Sequence, residues 1–140
     1  QPLKELPFRH RHIQPNQLKQ DYIICTLSNG NIRLLVDLAK YAKLPWDTIF
    51  SAENFKAYKP SPKTYLGVAD FLNVAPSQVM MVATHQDDLD AARGCGLQTA
   101  YIERPFEYGA AQLKDSSQCI DNDLHATDLL NLVSLLKEKA

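Results

Sequence analysis

The strongest constraint on the fold is an unbroken apolar run, Tyr22-Ile23-Ile24-Cys25-Thr26-Leu27, that ends abruptly in Ser28-Asn29-Gly30-Asn31. A short apolar run closed by turn formers suits a strand buried on both faces, as in a parallel sheet. The period then becomes helical. With Asn31 as cap, Ile32, Leu35, Val36 and Ala39 fall on one stripe. Residues 48–51 make a second short strand. Lys59-Pro60-Ser61-Pro62 is expected to be extended, because each proline turns its predecessor away from the helical region. Ser61 then caps a helix with Pro62 at its first position and Tyr65, Ala69 and Leu72 on its buried stripe. Residues 79–83 form the best strand in the sequence. A helix through Ala91, Ala92 and Arg93 stops at Gly94-Cys95-Gly96. Residues 98–102 are another strand, and a last helix from about Thr127 aligns Leu129, Leu132, Val133 and Leu136.

Strand–helix alternation with short connections predicts an α/β fold: a parallel sheet with flanking helices. Sites in such folds gather at the carboxyl ends of strands. The polar groups expected there are Ser28-Asn29, Lys59 and the stretch from Thr84 to Asp88. Residues 1–20 stand apart as a leader without a clear fold, broken by Pro2, Pro7 and Pro15 and carrying the basic cluster Arg9-His10-Arg11-His12. Residues 21–140 make up the α/β core.

Composition narrows the partners. The 15 Lys and Arg nearly balance the 16 Asp and Glu, for a net charge of -1, so the charge argues for no nucleic-acid partner and no anionic membrane. No apolar run approaches the roughly 20 residues of a membrane-spanning helix. Cys25, Cys95 and Cys119 are odd in number and widely spaced. That argues against a disulfide framework or a zinc site and for a reducing, cytoplasmic compartment.

Ser28, Asn29, Lys59 and Asp88 form a candidate constellation. A hydroxyl and backbone amides at a helix start can hold an anion. A lysine can hold the charge of a nucleophilic carboxylate, and an aspartate can orient that lysine or a water. Each has a plainer role too. Ser28 and Asn29 are ordinary turn and cap residues, Lys59 an ordinary solvated cation. Asp87, Asp88 and Asp90 suit the dipole at the front of a helix.

Taken in order, Leu27-Ser28-Asn29-Gly30-Asn31, then Tyr58-Lys59-Pro60-Ser61-Pro62 with Tyr65, then Val82 to Asp88 followed by Ala91-Ala92-Arg93 and Gly96-Leu97, closely resembles the haloacid dehalogenase superfamily. Within it the chain looks most like the 2-haloacid dehalogenases, from about Tyr22 to Tyr108. The resemblance implies a Rossmann-like core and a hydrolase that needs no cofactor. In these enzymes an aspartate displaces halide from a short 2-haloacid, and water hydrolyses the resulting ester. Ser28, with the amide of Asn29, matches the seat of the substrate carboxylate. Lys59 matches the conserved lysine, Asp88 the acidic residue of the fourth motif, and Tyr65 a tyrosine near the site.

Two departures stand out. The nucleophile motif, an Asp-x-x-Gly-Thr-like segment on the first strand, has no counterpart, and neither has the cap. The chain, which begins with Gln1, thus resembles the C-terminal part of such an enzyme, catalytically incomplete by itself. In the family the missing strand lies between the one ending at Ser28 and the one ending at Ala83. Its loss predicts a homo-oligomer, a missing N-terminal segment, or a rearranged sheet in which those two strands become neighbours. The second departure is Ala83 and His85 where well-studied dehalogenases carry Ser and Asn. His85 is a candidate substrate-binding residue or a plain strand-end histidine. Thr84 stands where magnesium-dependent phosphatases of the superfamily carry an aspartate, which disfavours a metal site. Three readings follow: a dehalogenase-like hydrolase acting on a 2-haloacid or related carboxylate, a non-catalytic remnant or interaction domain, and a magnesium-dependent phosphatase.

Overall fold

A computed structural model of the chain describes residues 19–104 and 118–139. The Arg9-His10-Arg11-His12 cluster lies outside them. Lys19 and Gln20, at the end of the segment set apart as a leader, are helical. The chain divides into two compact units between Val68 and Ala69.

In the first unit β1 (Cys25–Ser28) pairs in parallel with β2 (Thr48–Ser51), Cys25 opposite Thr48 and Ser28 opposite Ser51. The strand is shorter than the apolar run, for Tyr22 and Ile23 are exposed ahead of it. Asp47 marks where pairing begins. Its N–H donates to Ile24 O at 2.8 Å, and its Oδ2 accepts from Ile24 N–H at 2.8 Å.

Parallel neighbours need a crossover, and α1 (Ile32–Ala42) supplies it. Asn31 caps it as expected, Oδ1 accepting from Leu34 N–H at 2.8 Å. Ile32, Leu35, Val36 and Ala39 are half-buried, whereas Arg33, Leu34, Asp37, Leu38, Lys40 and Tyr41 are exposed. The inward stripe is thus the one that the spacing predicts.

After β2 the chain departs from expectation. It forms a short helix, α2 (Ala52–Phe55), locked by a reciprocal cap: Ser51 Oγ accepts from Glu53 N–H at 2.9 Å, and Asn54 Oδ1 from Ser51 N–H at 2.8 Å. Lys59 and Pro60 are not extended. Their peptide bond is cis, and they sit in a turn closed by Ser61 N–H donating to Tyr58 O at 2.9 Å. Beyond it α3 (Pro62–Leu72) starts where Ser61-Pro62 predicts, Thr64 N–H donating to Ser61 O at 3.0 Å. Tyr65 and Ala69 are buried.

The second unit is a three-stranded parallel sheet in the order β3 (Met80–Ala83), β4 (Gln98–Ile102), β5 (Leu124–Ala126). β4 is central, with Thr99, Ala100 and Tyr101 buried. Between β3 and β4 runs α4 (Gln86–Gly94), which buries Leu89 and Ala92. It ends as its glycines predict: Leu97 N–H returns to Ala92 O at 3.2 Å, and Gly96 takes φ +92, a left-handed conformation that a side chain would strain. α5 (Leu129–Lys139) closes the unit, Leu132 joining Ala100 and Ala126 in its core.

The α/β class with parallel strands and flanking helices holds. The rearranged sheet does not. One sheet pairs β1 with β2 and the other orders β3, β4 and β5, and no pairing of β1 with β3 is among the described residues. β1 pairs with β2 across α1, and β3 with β4 across α4, short connections with a small closure cost. Among the described residues no helix is long and apolar enough to cross a membrane.

Candidate functional site

Of the residues singled out from sequence, Ser28, Asn29, Lys59 and Tyr65 fall in the first unit and His85 and Asp88 in the second.

In the first unit β1 delivers Ser28 and Asn29 at its carboxyl end. Ser28 is half-buried, and its Oγ accepts from Gly30 N–H at 3.0 Å. A hydroxyl that accepts there keeps its own proton as a donor for an anion. Asn29 reaches the other motif. Its Oδ1 accepts from Lys59 N–H at 2.7 Å, and its Nδ2 donates to Lys59 O at 3.4 Å. One side-chain amide therefore engages both backbone polar groups of a residue 30 positions away. The two sequence motifs meet through this contact. Asn29 accordingly works on Lys59 through its side chain, a role that sequence reasoning, which gave it a substrate contact through its amide, did not assign. Lys59 is half-buried, and Tyr65, on α3, is fully buried.

Sequence reasoning also passed over Glu53. It follows the carboxyl end of β2, directly beyond the Ser51 that sits opposite Ser28. Its Oε1 accepts from Ile32 N–H at 2.5 Å, at the first residue of α1. The available signal was Ser51-Ala52-Glu53-Asn54, a capping pattern directly after a strand.

In the second unit β3 runs into Thr84 and His85. His85 is the exposed N-cap residue of α4 and makes no capping hydrogen bond through its side chain. Asp88 is half-buried in the first turn of that helix, with Asp87 exposed beside it, where carboxylates suit the helix dipole. Gln86 anchors this turn. It exchanges hydrogen bonds with Asn122, Nε2 to Oδ1 at 3.2 Å and Nδ2 to Oε1 at 2.9 Å. Buried Thr99 adds an Oγ1 donor to Asn122 Oδ1 at 3.0 Å. Gln86 and then Arg93 donate to Asp90, which holds its carboxyl below the usual carboxylate range. Among the described residues, no three His, Cys, Asp or Glu side chains gather as a metal-ligand set.

Comparison with known proteins bears on both halves. The profile of a family described as haloacid dehalogenase-like hydrolase matches residues 22–102. An (S)-2-haloacid dehalogenase 4A of Burkholderia cepacia is 40% identical over 98 residues, 66% of this chain and 42% of that protein. A crystal structure of an L-2-haloacid dehalogenase superposes with a TM-score of 0.84 at 47% identity, covering 89% of this chain and 55% of that one. That of a defluorinating L-2-haloacid dehalogenase gives 0.86 at 42% identity, covering 90% and 51%. The chain thus spans about half the length of the proteins it matches.

Proposed function

The chain belongs to the haloacid dehalogenase-like hydrolase family, and from that premise we propose that it serves the hydrolysis of the carbon–halogen bond of a short 2-haloacid. Ser28, with the backbone amide of Asn29, receives the substrate carboxylate. Lys59, in the first unit, holds the charge of the attacking carboxylate, and Asp88, in the second, is assigned to the hydrolytic water. Tyr65 and His85 complete the substrate side. In the reaction a carboxylate displaces halide from C2 to form an ester, and water cleaves the ester to the 2-hydroxy acid. None of these residues is assigned as the nucleophile. The Asp-x-x-Gly-Thr-like segment that carries it in the family has no counterpart among the 140 residues.

The observation that carries this reading is the Asn29–Lys59 contact, which joins the serine motif to the lysine motif. The identity to (S)-2-haloacid and L-2-haloacid dehalogenases supports the substrate class. Three free cysteines support a reducing, cytoplasmic setting. Association into a homo-oligomer belongs to the same proposal; sedimentation of the intact chain as a monomer at all concentrations removes it.

The test has two readouts. Amide shifts at Ser28 and Asn29 on titration with 2-chloropropionate report the carboxylate seat without needing the nucleophile; no shift overturns the reading. Halide release from 2-chloropropionate and 2-bromoacetate reports the chemistry. Turnover that vanishes in Lys59→Ala, with the fold intact, supports the role of Lys59, and turnover that survives removes it. Binding without halide release identifies the catalytically incomplete member of the family.

A further inference from the structure

Helix α1 is apolar on two sides. One is the half-buried stripe of Ile32, Leu35, Val36 and Ala39 on the helix that packs against β2. The other holds Leu34, Leu38 and Tyr41, spaced i, i+4 and i+7. At 3.6 residues per turn these three fall within about 60° of one another, on the side turned away from the first stripe. Leu34 and Leu38 are each 49% exposed, and Tyr41 is 89% exposed. A surface helix ordinarily carries its polar residues opposite its buried stripe. Here Arg33, Asp37 and Lys40 are confined to one flank, and the outermost position goes to two leucines and a tyrosine. Tyr41 alone leaves on the order of 200 Å² of side chain outside. A contiguous apolar stripe rimmed by charge marks an interaction surface.

We propose that this outer face of α1 is where two copies of the chain meet, helix against antiparallel helix, about a two-fold axis at Leu38. The inference names the contact of the homo-oligomer proposed above and rests on that reading. Self-complementarity argues for a second copy as the occupant. In an antiparallel pair centred on Leu38, that residue meets its own counterpart, and Leu34 of each copy lies beside Tyr41 of the other. The charged flanks then face each other, with Asp37 of one copy beside Lys40 of the other, twice by symmetry. Arg33 stays within its own copy, its Nε donating to both Asp37 oxygens at 3.0 and 3.1 Å. A parallel pair would set this flank against Leu35 and Ala42 instead and leave the charges unmatched. A standard interface takes about 800 Å² from each partner. The stripe supplies its apolar centre, and the charged flank part of its polar rim.

The test is sedimentation of the intact chain over a range of concentrations, with circular dichroism and thermal unfolding to confirm that each variant is folded. Wild type is expected to sediment as a dimer. Leu38→Glu should raise its dissociation constant about hundredfold, because the change acts on both sides of the axis. Asp37→Lys should raise it about tenfold, and Asp37→Lys combined with Lys40→Asp should recover most of that loss, since opposite charges again face each other. Mild oxidation of Leu38→Cys should give a linked dimer that wild type does not form. A wild-type dimer that Leu38→Glu leaves unmoved, or that Leu38→Cys fails to link, overturns this interface and leaves association standing. A wild-type monomer at all concentrations overturns both. Neither outcome touches the hydrolase reading, which the titration with 2-chloropropionate decides.

Discussion

The side chain of Asn29 brackets the backbone of Lys59, accepting its N–H at 2.7 Å and donating to its carbonyl at 3.4 Å. Lys59 precedes a proline and lies in a turn, so no strand or helix ladder orders its backbone. The amide of Asn29 takes that place. Asn29→Ala is expected to cost about 1–2 kcal/mol, the net worth of the two bonds. Amide exchange at Lys59 is expected to speed up, because its N–H then loses its acceptor. Asn29→Asp retains the shorter bond and is expected to fall between the two. Thermal unfolding and amide hydrogen exchange check both variants.

Gly67 is expected to resist replacement although it lies within α3. Alanine is intrinsically better in a helix by about 1 kcal/mol. A Cβ at this position, however, would meet the Phe55 ring at 2.4 Å. Phe55 is itself packed against Phe50, ring centroids 5.9 Å apart, and has little room to withdraw. Overpacking of this kind costs about 1–3 kcal/mol and outweighs the helical gain. Gly67→Ala should therefore lower the denaturation midpoint, and the double variant Gly67→Ala, Phe55→Leu should recover part of the loss.

Asn122→Ala is expected to destabilise the second unit by about 2 kcal/mol, since it strips partners from both Gln86 and buried Thr99. The first turn of α4, which carries Asp88, is expected to lose protection first. Amide hydrogen exchange at residues 86–89 reads this out.

Burial, and secondly the negative charge of Asp47, push the Cys25 thiol from its usual 9.0 up to about 11. Both effects disfavour the thiolate in the folded chain. The folded state therefore holds the proton more tightly than the unfolded state, and stability is fully present below pH 9. It declines as pH rises toward about 11. Cys25→Ala is expected to flatten this alkaline decline in a series of denaturant melts. At pH 8, alkylation of wild type by iodoacetamide should reach Cys119 well before Cys25.

The sequence by itself determined the elements whose signals are local. Asn31 and Ser61-Pro62 mark helix starts because a cap or a fixed φ acts within one turn of chain. The stripe of Ile32, Leu35, Val36 and Ala39 and the strands at residues 48–51 and 98–102 were readable from period and apolarity, and the ordered motifs pointed to the family. Tertiary structure decided what depends on partners distant in sequence. β5 has only three residues, Leu124, His125 and Ala126, and is a strand because β4 presents a ladder opposite it. The chain turns at Lys59 and Pro60, where the run of prolines alone reads as extended. Asn29, which reads as a turn former yet holds Lys59, and Glu53, which sequence reasoning passed over yet which caps Ile32, have a common cause. Polar side chains find their acceptors and donors across 20 to 30 residues only after the parallel pairing of β1 with β2 has brought the strand ends together.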